Sequence, residues 1–207
     1  METLKEKLRI ESLPLLNEDK LYEKLRKDIT KMLMNGYCID NGQYQYRPIE
    51  IEFYIYDENN HPDRHVYPRD KKAGELFFHY SGMDICFETS LAQGRFGGIL
   101  IRALERNDKQ LFGGPLVCVN EVLNTAKEKC EIKSANTKLD KEPVQFGRRV
   151  GIKAFENIND TFYSKEYRFV RADINEKSTF APRTAYNFDK NIFETKKSTY
   201  KIEEYIE

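Results

Sequence analysis

Tryptophan is absent from this chain, histidine occurs only three times, and 34 Lys and Arg are cancelled by 34 Asp and Glu to leave no net charge. The zero balance argues against a protein that grips nucleic acid through an overall basic surface, although it leaves room for a local basic patch. The four cysteines, Cys38, Cys86, Cys118 and Cys130, lie far apart and form no C-x-x-C pair. That spacing argues against a disulfide scaffold or a zinc knuckle and fits a reduced, cytoplasmic setting. No run approaches the roughly 18 apolar residues of a membrane span. The charged amino terminus lacks the apolar segment of a secretory signal, so neither membrane insertion nor secretion is expected.

What the chain does have is apolar mass: 40% of its 207 residues, with 13 Tyr and 13 Phe. That is enough for one aromatic-rich domain, and two full domains would be small. Leu21, Leu25, Ile29, Met32 and Leu33 recur at helical spacing, with Asn17 to cap the start and Asn35-Gly36 to stop it, which predicts a helix over 17–35. Residues 36–47 read as a loop or an edge hairpin. After Pro48 the period becomes two: Ile49, Ile51, Phe53 and Ile55 alternate with Glu50, Glu52, Tyr54 and Tyr56, a strand with one apolar face. Further strands are expected at 75–79, 84–89 and 98–105, and Gly113-Gly114-Pro115 opens a helix over 115–127. Residues 128–141 read as an exposed excursion, and Arg149-Val-Gly-Ile and Tyr167-Arg-Phe-Val as two last strands. The predicted class is α+β, a single domain with a curved, mainly antiparallel sheet flanked by helices. Its parts are a helical arm over 1–47, a core over 48–174 and an extension over 175–207 with a short amphipathic end near Tyr200–Ile206.

Chemistry-bearing side chains concentrate between residues 50 and 88: Glu50, Glu52, His61, His65, His79, Asp84 and Glu88. Imidazoles that titrate near neutrality beside carboxylates are the raw material of proton transfer. His61-x-x-x-His65 also has the spacing of a metal-ligating pair, with Glu50, Glu52 or Glu88 as a carboxylate partner. Such pairs normally share a helix face, and these two sit in a Pro- and Asp-containing loop.

Read in order, the middle of the chain resembles the methylpurine (3-methyladenine) DNA glycosylase family. Glu50-Ile-Glu52-Phe-Tyr54 is similar to that family's E-x-E-A-Y, and Tyr67-Pro68-Arg69-Asp70 to T-P-R-N. Gly74-Glu-Leu-Phe-Phe-His-Tyr80 and Gly82-Met-Asp-Ile-Cys86 are similar to G-x-L-Y-V-Y and Y-G-M-x-x-C. Ile99-Leu-Ile-Arg102-Ala-Leu-Glu105 resembles V-L-L-R-A-x-E-P, Gly114-Pro115 the helix-opening G-P, and Arg149-Val150-Gly151-Ile152 and Tyr167-Arg168-Phe169-Val170 the closing R-I-G-I and L-R-F-Y-V. The shared order over about 49–171 is the signal, since no single match is specific.

The resemblance implies a monofunctional base-excision repair enzyme without a cofactor or bound metal, acting as a monomer on DNA. It would hydrolyse the N-glycosidic bond of an alkylated or deaminated purine flipped out of the helix. Glu52 matches the catalytic glutamate and Arg102 the arginine that keeps it ionised. Tyr54 matches the residue stacked on the base and His61 the pocket histidine, with His79 beside them. Tyr80 matches the tyrosine inserted into the duplex, in a His79–Met83 segment one residue shorter than the family's. Glu88 stands where the family has a gating asparagine. Arg69, Arg148, Arg149 and Lys153 are the candidate phosphate contacts. Two alternatives stay open: a non-catalytic descendant that binds nucleic acid or a nucleobase, and a metal-dependent hydrolase built on His61 and His65.

Overall fold

The computed structural model describes residues 3–139, 144–156, 159–171, 185–187 and 192–194. The amino-terminal part begins with a short helix, α1 (Leu4–Lys7), whose capping box pairs Thr3 with Glu6. A continuous helical run follows: α2 (Glu18–Glu23), a wider π-helical stretch over Lys24–Thr30, and α3 (Lys31–Gly36). As expected, Asn17 caps it, its side chain accepting the Lys20 N–H at 2.9 Å. Leu21, Leu25, Ile29 and Leu33 are fully buried and join Ile51, Phe53, Ile55 and Phe169 in one hydrophobic cluster. Residues 3–47 therefore contribute to the common core, in which the period-3.6 apolar stripe of the helix meets the period-2 stripe of a strand.

The sheet is open and antiparallel. Its strands are β1 (Tyr37–Asp40), β2 (Gln45–Asp57), β3 (His61–Pro62), β4 (Leu76–His79), β5 (Gly82–Cys86), β6 (Arg95–Arg106), β7 (Leu111–Gly113), β8 (Glu131–Ser134), β9 (Val144–Gly147) and β10 (Arg168–Arg171). The main path runs β4-β5-β6-β2-β1-β8, with β10 also on β2 and β9 on β10. Long strands β2 and β6 form the centre, and the register shifts at Glu50 on β2. Helix α4 (Pro115–Asn124) packs on β5 and β6. A separate hairpin joins β11 (Ala185–Asn187) and β12 (Ile192–Glu194). No helix among the described residues is long and apolar enough to cross a membrane.

Two local expectations change, and the polar face of β2 proves to be enclosed. Residues 131–134 are not an exposed excursion but β8, which completes the free side of β1; an exposed strand on a sheet edge carries little apolar signal. Residues 149–152 are not a strand: the pairing with β10 is made by Val144–Gly147 just before them, and the backbone turns away with Gly151 at φ +82°. The second face of β2 is not solvated. Glu50 and Glu52 are 1% and 0% exposed, because β10, α4 and the 148–152 segment enclose that face. The expected amphipathic end near Tyr200–Ile206 lies outside the described residues.

Candidate active site

Glu50 and Glu52 point to the same side of β2 and meet different surroundings. Glu50 Oε1 accepts from Arg102 Nε at 2.9 Å and from Arg168 Nε at 2.7 Å. Burial pushes its carboxyl up, but the two guanidiniums outweigh that and hold it below the usual carboxylate range. Glu52 Oε1 accepts the Val150 N–H at 2.7 Å and lies 3.3 Å from Arg102 Nε, while Oε2 accepts the Tyr54 hydroxyl at 2.9 Å. Burial and then the Glu52 charge raise the Tyr54 phenol well above its ordinary range, so Tyr54 stays a donor. Arg102 is buried too; burial works against its charge, and Glu52 and Glu50 more than restore it. One guanidinium thus bridges two carboxylates, and only one of these, Glu52, lies directly behind the wall of a cavity.

That wall is Tyr54. The cavity holds about 250 Å³, and its apolar lining includes Tyr54, Tyr67, Leu100, Ile152 and Phe155. This is just below the ~300–1,000 Å³ of ordinary small-molecule sites and suits one flat ring system more than a large ligand. Its polar side is a braced array. His79 Nε2 is 3.2 Å from Asp84 Oδ1, and His79 Nδ1 is 2.9 Å from Ser81 Oγ. The other oxygen of Asp84 pairs with Arg69, whose Nε donates to the Tyr67 carbonyl at 2.9 Å and whose guanidinium lies over Phe77. Gly98, opposite Tyr54 in the sheet, makes this possible: a Cβ there would sit 3.0 Å from Asp84 Cβ. Arg64 and His65 complete the rim.

The structure therefore brings Glu52, Arg102, Tyr54 and His79 together and sends other candidates elsewhere. His61 is 4% exposed and does not line the cavity. Its Nδ1 is 2.8 Å from the Ile55 carbonyl, its Nε2 is 2.9 Å from the Tyr167 hydroxyl, and burial lowers its pKa, so it is a neutral brace. Glu88 turns to the amino-terminal segment, where it is 3.6 Å from Arg9 Nε and its N–H donates to the Leu8 carbonyl. Arg69 and Arg149 are not phosphate contacts. Arg69 is committed to Asp84, and Arg149 to Asp63 at 2.7 Å, with no exposed surface on either member of the second pair. Arg149 instead packs over Tyr54, 4.6 Å from its ring centroid. Arg148 is half-buried and already partnered, whereas Lys153 is exposed. Tyr80, 79% exposed at the β4–β5 turn, bonds the Tyr67 hydroxyl at the cavity mouth. His61 and His65 face different partners, and no three His, Cys, Asp or Glu side chains among the described residues could hold a metal ion.

Sequence reasoning passed over Arg64, Tyr67, Ser81, Phe155 and Asp160, and gave His65 and Asp84 no cavity role. Proximity to the glycosylase-like motifs was the available signal for Tyr67, Ser81 and Asp84. Phe155 and Asp160 carried none, since they come from irregular chain 90 or more residues from their partner His65. Neither the scan of family models nor the search of curated proteins finds a match to this chain.

Proposed function

We propose that the protein hydrolyses the N-glycosidic bond of a damaged purine flipped out of DNA, as a divergent relative of the methylpurine DNA glycosylases. Breaking that bond builds positive charge on the sugar, so an ionised carboxylate beside it lowers the barrier and can accept a proton from attacking water. The observation that carries the reading is Glu52: its carboxylate is held against Arg102 and tethered through Tyr54 to the rear of an aromatic cavity. Tyr54 and Phe155 offer ring faces to a base, and the exposed Arg64 and Lys153 offer cations to the phosphates that flank it. Glu52 has no accessible surface and accepts the Val150 N–H, so attack by water requires its surroundings to open.

The test is strand cleavage on oligonucleotides carrying hypoxanthine, ethenoadenine or an alkylated purine. Wild type should release the base, and Glu52→Gln should lose roughly 100-fold or more of the rate, as expected for removal of a positioned general base. Glu52→Gln should still bind the lesion, since removing an anion beside a phosphate backbone lowers repulsion. A second reading, a nucleobase-binding descendant without catalysis, draws on the same zero exposure of Glu52. Lesion binding without release by wild type would favour it.

A further inference from the structure

The two end strands of the main sheet path, β4 and β8, line one groove. It encloses about 680 Å³ and is walled by Leu76 and Phe78 of β4, Leu123 at the end of α4, and Ile132 of β8. Both outer edges of the path therefore face a common space, and no strand among the described residues occupies it. β4 separates this groove from the cavity in front of β2. Successive side chains of a strand point to opposite faces: Phe77 stacks on His79, which lines that cavity, while Leu76 and Phe78 line the groove.

The register fixes which main-chain groups point outward. Phe77 pairs with Asp84 and His79 with Gly82, and the Cys86 N–H donates to the Glu75 carbonyl at 2.8 Å. Alternation along an antiparallel pair then turns the N–H and C=O of Phe77 and His79 towards β5, and those of Leu76 and Phe78 away from it. These outward groups have no hydrogen-bond partner among the described residues. Counting from the bond of the Ala135 N–H to the Gly36 carbonyl at 2.9 Å, Ile132 and Ser134 turn outward from β8 in the same way.

Sheet edges are commonly guarded by charge, Pro or a covering loop. Leu76–His79 contains no Lys, Glu or Pro, and Phe78 and Leu123 are 38% and 46% exposed. The positive charge of the groove stands at one end. Lys71 and Lys72 precede β4, and the Lys5 Cγ lies 3.5 Å from where a Cβ on Gly74 would sit. None of these three ammonium groups has a carboxylate partner among the described residues. Glu75 turns back to the Lys72 main-chain N–H at 3.2 Å, and the other acids of the groove, Glu128 and Glu131, stand on the β8 side.

We propose that this groove receives an extended segment of a partner protein, which adds a strand to the β4 edge. Its main chain bonds the outward groups of Leu76 and Phe78, its alternate aliphatic side chains pack on Phe78 and Leu123, and acidic residues at one end meet Lys5, Lys71 and Lys72. In such strand addition the main-chain bonds supply affinity and the alternate side chains supply specificity.

The test titrates the full chain into a fluorescent, acetylated octapeptide of alternating Val and Thr ended by two Asp residues, made in both chain directions, with controls ended by two Lys. One direction should bind saturably with Kd below about 1 mM. Amide exchange at Leu76 and Phe78 should slow on binding, and that at Phe77 should stay as it was. The Lys-ended controls should bind several-fold more weakly, by a margin that shrinks as salt is raised. Phe78→Pro removes an outward N–H without breaking a bond to β5, which an edge strand tolerates. With its thermal transition intact, that variant should weaken binding about tenfold or more. Should it fail to fold, methylating alternate main-chain nitrogens of the peptide makes the same test on wild type. Failure to bind in either direction, equal binding of Asp- and Lys-ended peptides, indifference to N-methylation, or binding without slowed exchange at Leu76 and Phe78 would overturn the proposal. A concentration-dependent dimer of the free protein that Phe78→Pro abolishes would overturn it too, by assigning the edge to a second copy.

Discussion

The layer of charge around Glu50 and the cavity in front of Glu52 lie next to each other on one strand and use the same residue types to opposite ends. Around Glu50, two arginines converge on one carboxylate oxygen, and both sides of each pair are enclosed. In the cavity the carboxylate of Asp84 is still paired, with Arg69, yet open space remains between Tyr54, His65 and His79. Enclosed charge that is fully satisfied fixes geometry; charge satisfied on all sides but one can do chemistry. Arg102 joins the two regions, because it touches both glutamates.

The largest expected effect comes from unpairing a third enclosed pair, Asp63 with Arg149. Asp63→Ala leaves Arg149 buried without its carboxylate, which should cost about 3–5 kcal/mol of unfolding free energy in urea titrations. A loss under about 1 kcal/mol would show that the pair does not brace Tyr54. Glu50→Gln should cost less, about 2–3 kcal/mol, because Arg102 keeps Glu52. Under the proposed glycosylase activity, its excision rate should stay within a few-fold of wild type, in contrast to Glu52→Gln. The pH dependence sharpens the same contrast. The Glu50 carboxyl lies lower in the folded than in the unfolded chain, so its stabilisation is present above the ordinary value near 4.5 and drains away as the pH falls through the folded value. Urea midpoints of wild type should therefore drop below about pH 4.5, and Glu50→Gln should flatten that drop. The smallest effect belongs to the rim: Tyr80→Ala should shift stability by no more than about 0.5 kcal/mol in a thermal melt, since the ring is 79% exposed. If the protein binds damaged DNA as proposed, any cost there should appear in lesion binding instead.

How much of this was legible follows the distance between partners in the chain. The 18–36 helical run, β2 and the opening of α4 were readable because caps and periodicity act over a few residues. So was the presence of a carboxylate strand beside a histidine-rich stretch. The separate fates of Glu50 and Glu52 were not readable from β2 itself, as their discriminating partners are Arg168 and Val150, 118 and 98 residues away. Arg149 read as a phosphate contact because its carboxylate, Asp63, lies 86 residues upstream. His65 entered only as half of a candidate metal pair, since its partner Asp160 lies 95 residues downstream.

By itself the sequence determined the 18–36 helical run, the strand β2 with its apolar face and the opening of α4, and it grouped titratable side chains between residues 50 and 88. Only the tertiary structure decided which of those side chains are spent on each other. A hydrogen bond consumes a particular lone pair or proton, and the groups that consume it here arrive from segments that local periodicity does not connect.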